Sequence, residues 1–324
     1  MSAPVCIALD GYGGDGGPAV TLEGARRAVG EDLDLTVLFV ADGRPTGHER
    51  ILPVPSAGAL PDGGHPAKVL RSHPDLSIGL ATRLVADGQA SAVVSMGHTG
   101  ATMIAAQWLL KTVPGVRRAP AATRLPLPVA NRPVLVDLGA ASVVTAPDLA
   151  GFAALGTAYS QVVAGVPNPR VALLANGTEE GKGTPVTQEA YGILRASSLN
   201  FVGYVEPTDL GSDPADVLVA DGFTGNLLIK WMEGTAKMLL DVYGALLERP
   251  EAEDLRSGLE AMSDVTSSPR DPVVLLGCRG VVVPGHGRAS QEDVARALSK
   301  AAVAVRRDLA GKVSDALSRI RGKE

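Results

Sequence analysis

Short apolar runs rich in β-branched residues alternate along the chain with longer stretches whose apolar positions recur every three or four residues. The short runs predict strands at Val5–Leu9, Leu35–Ala41, Ala92–Ser95, Val134–Val136, Arg170–Leu174, Asn200–Val205, Val217–Ala220 and Gly280–Val283. The longer stretches predict helices, most clearly at Ala101–Lys111, Asp148–Val163, Val186–Ala196, Leu227–Glu248 and Gln291–Arg307. Strands that are apolar throughout are covered on both faces, and strand–helix alternation is the pattern of a mostly parallel sheet. The expected fold is therefore α/β, with three α/β/α layers. No internal repeat or low-complexity tract is present. Pro126 to Pro133 and Ser263 to Pro272 are the plausible crossings between subregions.

Composition narrows what such a fold can do. Of 324 residues, 45% are apolar and 20% charged, enough for a real core. Only 3% are aromatic, while glycine and proline together number 61, so the core rests on Ala, Val and Leu and base stacking is disfavoured. Thirty basic against 35 acidic residues give a net charge of −5. That balance argues against nucleic acid, and the doublets Arg26-Arg27, Arg117-Arg118 and Arg306-Arg307 are the densest basic spots. Cys6 and Cys278 are too few for a disulfide framework or zinc ribbon and read as packing residues. No run reaches the roughly 18 to 20 apolar residues that span a bilayer, and the start lacks a signal-peptide pattern, so a cytoplasmic protein is expected.

Four segments share one design, a strand end followed by a glycine-rich turn: Asp10 to Gly17, Ser95 to Gly100, Asn176 to Gly183 and Asp221 to Asn226. In an open parallel sheet such turns emerge at the carboxyl edge, where glycines let backbone N–H groups approach an anion. Convergence on one edge predicts a phosphate or acyl-phosphate site in loops rather than helices. Lys182 can meet a phosphate as a point charge, or be solvated beside Glu179 and Glu180. Asn226 can cap the helix it precedes, or donate to a carbonyl oxygen as negative charge develops there. His98 and His286 lie in turns where they can contact an anion or simply face solvent.

Rival patterns are weaker. Gly11, Gly13 and Gly16 fit G-x-G-x-x-G with Asp42 closing the second strand, the mark of a dinucleotide site, but Asp10 and Asp15 would crowd a pyrophosphate with negative charge. The loop ending in Lys182 has the wrong spacing for a P-loop, and no G-x-S-x-G elbow is present. The five histidines show no ligand spacing, so no metal and no cofactor are expected. The chemistry needs no protein nucleophile.

In this order the segments resemble the bacterial phosphate acyltransferase family known as PlsX, over nearly the whole chain. IALDGYGGDGGP resembles the family's Asp-x-Met-Gly-Gly-Asp opening, and SAVVSMGHTGATMIAA its Val-Ser-x-Gly-Asn-Thr-Gly-Ala stretch. PVLVDLGA, VALLANGTEEGKGT, NFVGYVEP, ADVLVADGFTGNLLIKWMEG and LLGCRGVVVPGHG follow in the family's sequence, DGFTGN being the most specific. The resemblance implies a fold similar to isopropylmalate dehydrogenases and phosphotransacetylases. It also implies a homodimer, with one domain over 1–324 and a small helical dimerisation subregion near 227–264.

The activity it implies is acyl transfer from an acyl carrier protein or coenzyme A thioester to inorganic phosphate, without cofactor, at the start of phospholipid synthesis. Phosphate would attack the thioester directly. Lys182 would hold phosphate and Asn226 would steady the thioester oxygen. Asp10, Gly13, Gly14 and Asp15 would shape one wall, Gly97, His98, Thr99, Gly100 and His286 would meet the anion, and Asp221, Thr224 and Gly225 belong to the motif around Asn226. Arg117-Arg118 is a candidate docking point for an acidic carrier.

The chain also departs from the family pattern. His98 stands for Asn, Tyr12 for Met, and Ala141 follows Gly139-Ala140 in place of Asn. Arg71 to Ser77 lacks a Lys-Lys pair and a double serine, the run after His286-Gly287 differs, and Arg270-Asp271-Pro272 replaces Gly-Gly-Ala. These changes motivate two alternatives: a non-catalytic relative that binds carrier protein or acyl ligand, and, from the glycine fingerprint, a nicotinamide-dependent dehydrogenase. Family members attach to anionic bilayers through an amphipathic region that here, over Gly244 to Asp264, carries six acidic and two basic residues. Weak membrane association is the expectation.

Overall fold

The computed structural model describes residues 3–61, 65–127, 129, 131–247 and 271–320. Eleven strands form one sheet: β1 (Val5–Asp10), β2 (Leu35–Ala41), β3 (Ile51–Pro55), β4 (Ala92–Ser95), β5 (Ala121–Arg124), β6 (Val134–Val136), β7 (Val171–Leu174), β8 (Phe201–Val205), β9 (Val217–Val219), β10 (Val274–Leu275) and β11 (Val281–Pro284). Their order across the sheet is β3-β2-β1-β4-β11-β10-β5-β6-β9-β7-β8. The α/β expectation holds and the sheet is mostly parallel. All eight strands read from the sequence are present within two residues at each end, and β3, β5 and β10 are added to them.

The pairing of those added strands controls where the loops go. The runs β3-β2-β1-β4-β11 and β6-β9-β7-β8 are each internally parallel. Between them, β11 with β10, β10 with β5, and β5 with β6 all pair antiparallel. Three reversals leave the two parallel runs pointing in opposite directions. The carboxyl ends of β1, β4 and β11 therefore lie at one edge of the sheet, and those of β6, β7 and β9 at the other. The expectation of four turns on a single edge is corrected accordingly, to two and two.

Strand alternation sorts the core. Ile7 and Leu9, like Val171, Leu173, Val217 and Val219, face a cluster shared with α1 (Gly17–Glu31), α5 (Ala146–Val163), α6 (Pro185–Ala196), α8 (Gln291–Arg306) and α9 (Leu309–Ser318). Ala8, Val40 and Val93 face the opposite side, against α2 (Pro66–Ser72), α3 (Ser77–Ala86) and α4 (Thr99–Ala105), which continues as a π-helical turn over Ala106–Leu110. Ala172, Leu174 and Leu218 face a third cluster that includes Leu228 of α7 (Gly222–Leu247). One face thus carries a core common to both parallel runs, while the other carries two separate cores.

Helix ends are secured by charge as well as packing. At the end of α1, Arg50 donates to the carbonyls of Val29 at 2.6 Å and Asp32 at 2.8 Å. The Asp32 carboxylate accepts two hydrogen bonds from Arg306, at 2.5 and 3.0 Å, which tie α1 to the end of α8. The Arg306 guanidinium holds the Asp32 carboxyl below the ordinary aspartate range. A lowered carboxyl stabilises the fold above its unfolded-state pKa, and that contribution is lost as pH falls through the folded value. Arg306→Met is expected to cost about 1 kcal/mol at pH 7, since water still reaches the pair. Denaturation melts should show the gap closing below about pH 4, the ordinary aspartate range.

Candidate active site

At the first edge, β1, β4 and β11 lie side by side and their loops are stitched together. The Asp15 amide donates to the carbonyl of Gly287 at 2.6 Å, that of Gly285 to Ser95 at 2.7 Å, and the Thr99 hydroxyl to Gly285 at 3.2 Å. A side chain at Gly13 would bring its Cβ within 2.8 Å of the Met96 backbone nitrogen, so glycine is required for this approach. The result is a cavity of about 810 Å³ lined by Asp10, Gly13, Gly14, Asp15, Gly97, His98, Thr99, Gly100 and His286. All nine sequence-predicted residues of the first, second and last loops meet here.

Asp10 is the most constrained of them. It ends β1, is 4% exposed, and accepts the Ser95 hydroxyl on Oδ2 at 2.8 Å, while Ser95 Oγ in turn accepts the Gly97 amide at 3.2 Å. Its other oxygen, Oδ1, has no hydrogen-bond partner among the described residues. Burial pushes the carboxyl above the ordinary range, against the opposing pull of Ser77, Ser95 and the amides of Tyr12 and Gly13. His98 caps α4, its Nδ1 accepting the Ala101 amide at 3.3 Å, which leaves Nε2 as the donor of the neutral ring. No lysine or arginine is among the described residues lining this cavity.

A second cavity of about 800 Å³ shares Asp15, His286 and Gly287 with the first. Its far wall brings Lys230, Glu233 and Lys237 from α7, and Arg288, Arg296, Asp271 and Asp293 complete a lining of mixed charge. The two together make a trough along the first edge.

The opposite edge holds the other predicted residues. Asp137, fully buried after β6, accepts the amides of Ala121, Gly139, Ala140 and Ala141 at 2.9, 3.2, 3.1 and 2.7 Å. The loop it shapes receives the start of α7, where the Gly222 amide donates to Ala141 at 2.9 Å. Asp221 accepts the amides of Phe223 and Thr224 at 2.9 and 3.0 Å, and the Thr224 hydroxyl at 2.7 Å. Asp221 is therefore the cap of α7. Asn226 lies one turn inside the helix instead of opening it, exposed, close to the backbone of Gly139. Thr99, Gly100, Thr224, Gly225 and Asn226 all sit in helices, which corrects the expectation that loops alone hold the site. Lys182 is half exposed, with Nζ 3.7 Å from Glu179.

Other sequence candidates resolve into structural roles. Arg117 donates to Asp148 through Nε at 3.0 Å and through Nη2, and to the Thr145 hydroxyl at 3.2 Å, so its guanidinium braces the start of α5 while it and Arg118 both remain exposed. Cys278 is buried, and burial pushes its thiol up to about 12. Among the described residues no group of His, Cys, Asp and Glu could hold a metal ion, and no helix is long and apolar enough to cross a membrane. Most of the acidic Gly244 to Asp264 stretch lies outside the described residues, as does the greater part of the 227–264 subregion beyond α7. Ser95 and Asp137, whose side chains brace the loops at the two edges, carry no mark of that role in the sequence, although each lies at a strand end just before a glycine turn.

Residues 5–312 match the family described as "Fatty acid synthesis protein". The chain is 33% identical to a "Phosphate acyltransferase" of Streptococcus uberis, with 97% of each chain covered. Among solved structures it is similar in fold to the EutD phosphotransacetylase from Staphylococcus aureus, with a TM-score of 0.60 at 18% identity over 93% of this chain and 94% of that one. It is similar also to a branched-chain phosphotransacylase from Enterococcus faecalis, with a TM-score of 0.61 at 15% identity over 94% and 98%.

Proposed function

Because the chain belongs to the fatty acid synthesis protein family of phosphate acyltransferases, we propose that it moves an acyl group from a carrier-protein or coenzyme A thioester to inorganic phosphate. The observation that carries this reading is the end-to-end match, which encloses every loop of the first-edge cavity. Hydrogen phosphate attacks the thioester carbon, the C–S bond breaks, and acyl phosphate and thiol leave. Phosphate is its own nucleophile, so the site has to position and neutralise rather than form an acyl-enzyme. The loop glycines Gly13, Gly14, Gly97 and Gly100 give the anion access to backbone, with Thr99, His98 and His286 beside it. Lys182 holds its charge and Asn226 donates to the thioester oxygen, with Asp221, Thr224 and Gly225 setting Asn226 in place. The enzyme works in the cytoplasm as one 1–324 domain, uses no cofactor, and associates weakly at most with membranes.

The opposed sheet edges bear on how these residues meet. A dianion in the first-edge cavity faces Asp10 and Asp15 with no lysine or arginine among the described lining residues, while Lys182 and Asn226 emerge at the other edge. A homodimer removes the difficulty. Phe223, Leu227, Trp231, Met238 and Val242 of α7 are all exposed, at spacings that form one apolar stripe about 28 Å long. An antiparallel pair of such stripes is self-complementary, as two-fold symmetry demands. It sets the start of one α7 against the later half of the other, alongside the middle turns of the helix, where Lys230, Glu233 and Lys237 border the first-edge trough. Each cavity then receives Lys182 and Asn226 of the second copy.

The test is incubation with acyl-carrier and acyl-coenzyme A thioesters of several chain lengths plus phosphate, with acyl phosphate trapped by hydroxylamine. Phosphate-dependent hydroxamate is expected. Binding of acyl carrier without any hydroxamate would favour the non-catalytic reading instead.

A further inference from the structure

Acyl transfer to phosphate leaves one proton unassigned: hydrogen phosphate carries it at the start, and the departing sulfur carries it at the end. We propose that Asp10 is the proton carrier, its free Oδ1 taking the P–OH proton as the phosphate oxygen bonds to the thioester carbon and returning it to the thiolate as the C–S bond breaks. The inference rests on the acyltransferase reading and adds a step to it. Atoms balance, because hydrogen phosphate plus thioester gives acyl phosphate plus thiol with Asp10 regenerated.

The geometry singles out this carboxylate. Asp10 is fixed by the end of β1 and by the Ser95 hydroxyl on Oδ2, so its conformation is set before substrate arrives. Oδ1 is nearly dry and accepts no hydrogen bond at ordinary geometry, with the Ser77 hydroxyl and the amides of Tyr12 and Gly13 close to the carboxyl, and the residue lines the cavity where phosphate would sit. A buried acceptor with no hydrogen bond is unfavourable in the free protein, and a P–OH group would satisfy it once phosphate displaces the atoms that screen Oδ1. The titratable neighbours are fewer and less suited. Asp15, on the same loop, is exposed; His98, at the start of α4, has Nδ1 engaged by Ala101; and His286, on the loop after β11, is exposed. The α3 and β4 sides contribute only the Ser77 and Ser95 hydroxyls. Burial raises the carboxyl while the Lys182 charge that the second copy brings to the cavity opposes it, which suits a group that must both take and release a proton.

The full-length chain is assayed by hydroxylamine trapping with two thioesters, an alkyl one and an aryl one whose thiolate leaves without needing a proton. Asp10→Asn keeps the side-chain volume and an acceptor for Ser95. Its kcat is expected to fall about 100-fold on the alkyl thioester, with KM for phosphate nearly unchanged. The aryl thioester should lose much less, and the acid limb of the kcat profile should disappear. Ser95→Ala tests the same group without removing it: losing a hydrogen bond to the carboxylate raises the Asp10 pKa, so the acid limb moves to higher pH. Equal losses on both thioesters, or an acid limb unmoved in either variant, would overturn the role of Asp10 alone. No acyl phosphate from the wild-type chain would overturn the acyltransferase reading and this step with it.

Discussion

Gly225→Ala should abolish the stable fold. The new Cβ would lie 1.8 Å from the backbone carbonyl oxygen of Asp137 and 3.0 Å from its carbonyl carbon. Neither partner is a flexible side-chain tip. Asp137 is fully buried and held by four amides, and the adjoining Ala141 carbonyl receives the first amide of α7, so relief requires separating the helix from the loop. The expected loss is about 4 kcal/mol, at the large end for a single substitution and close to the whole margin of a typical domain. Urea denaturation, or insoluble expression, would report it. Gly192→Ala is the control: this glycine lies in α6 with nothing within 4 Å of the place its methyl group would take, and alanine should stabilise the helix by about 0.5 to 1 kcal/mol. If Gly225→Ala melted like the wild type, the close seating of α7 on the Asp137 loop would be wrong.

The largest effect on activity is expected from Lys182→Ala, about a thousandfold lower turnover with an unchanged melting temperature. That is the upper range for removing one preorganised electrostatic contact to reacting charge. The exposed ammonium contributes only a long contact to Glu179 in the free chain, so stability should not suffer. Thr99→Trp, which plugs the cavity at the first edge, should be equally inactive. Neither homodimer works, but their mixture discriminates between arrangements. If each cavity draws its lysine from the other copy, a mixed dimer has one cavity with both Thr99 and Lys182 intact and one with neither. Random reassortment should then restore about a quarter of wild-type activity. No recovery despite verified exchange would place Lys182 at the cavity of its own chain, or at none.

Much of this architecture is legible in the sequence because burial on both faces of a strand leaves a strong mark. Runs such as Val5–Leu9 and Val217–Ala220 could hardly be anything else, and the glycine turns do follow strand ends as their spacing predicts. The misses have a common cause. β10 is two residues long, β3 is interrupted by Pro53 and partly exposed, and β5 reads as Ala-Ala-Thr-Arg, so none carries enough apolar weight to register. Yet β10 and β5 are the strands that reverse the sheet. Two weak signals therefore decide the one feature on which the location of Lys182 and Asn226 depends, and local pattern has no access to the direction in which distant strands pair. The start of α7 is hidden for a related reason: Gly222 and Gly225 look like turn residues, but they are small because the Asp137 loop lies against them.

The strand order also constrains how the chain reaches this structure. β10 and β11, near the carboxyl terminus, lie between β4 and β5, which are neighbours in sequence but not in the sheet. While the polypeptide is being synthesised, β4 has to wait as an open edge for the nearly two hundred residues between Ser95 and Val281, and β5 can pair only with β6. An apolar edge of that kind is sticky, and its closure is a long-range event that slows folding. The amino-terminal run cannot mature ahead of the rest as an independent folding unit. Late arrival of the 274–284 hairpin completes the first run and joins it through β5 to the second, which makes the final stretch of translation the step most exposed to aggregation and most dependent on chaperone protection.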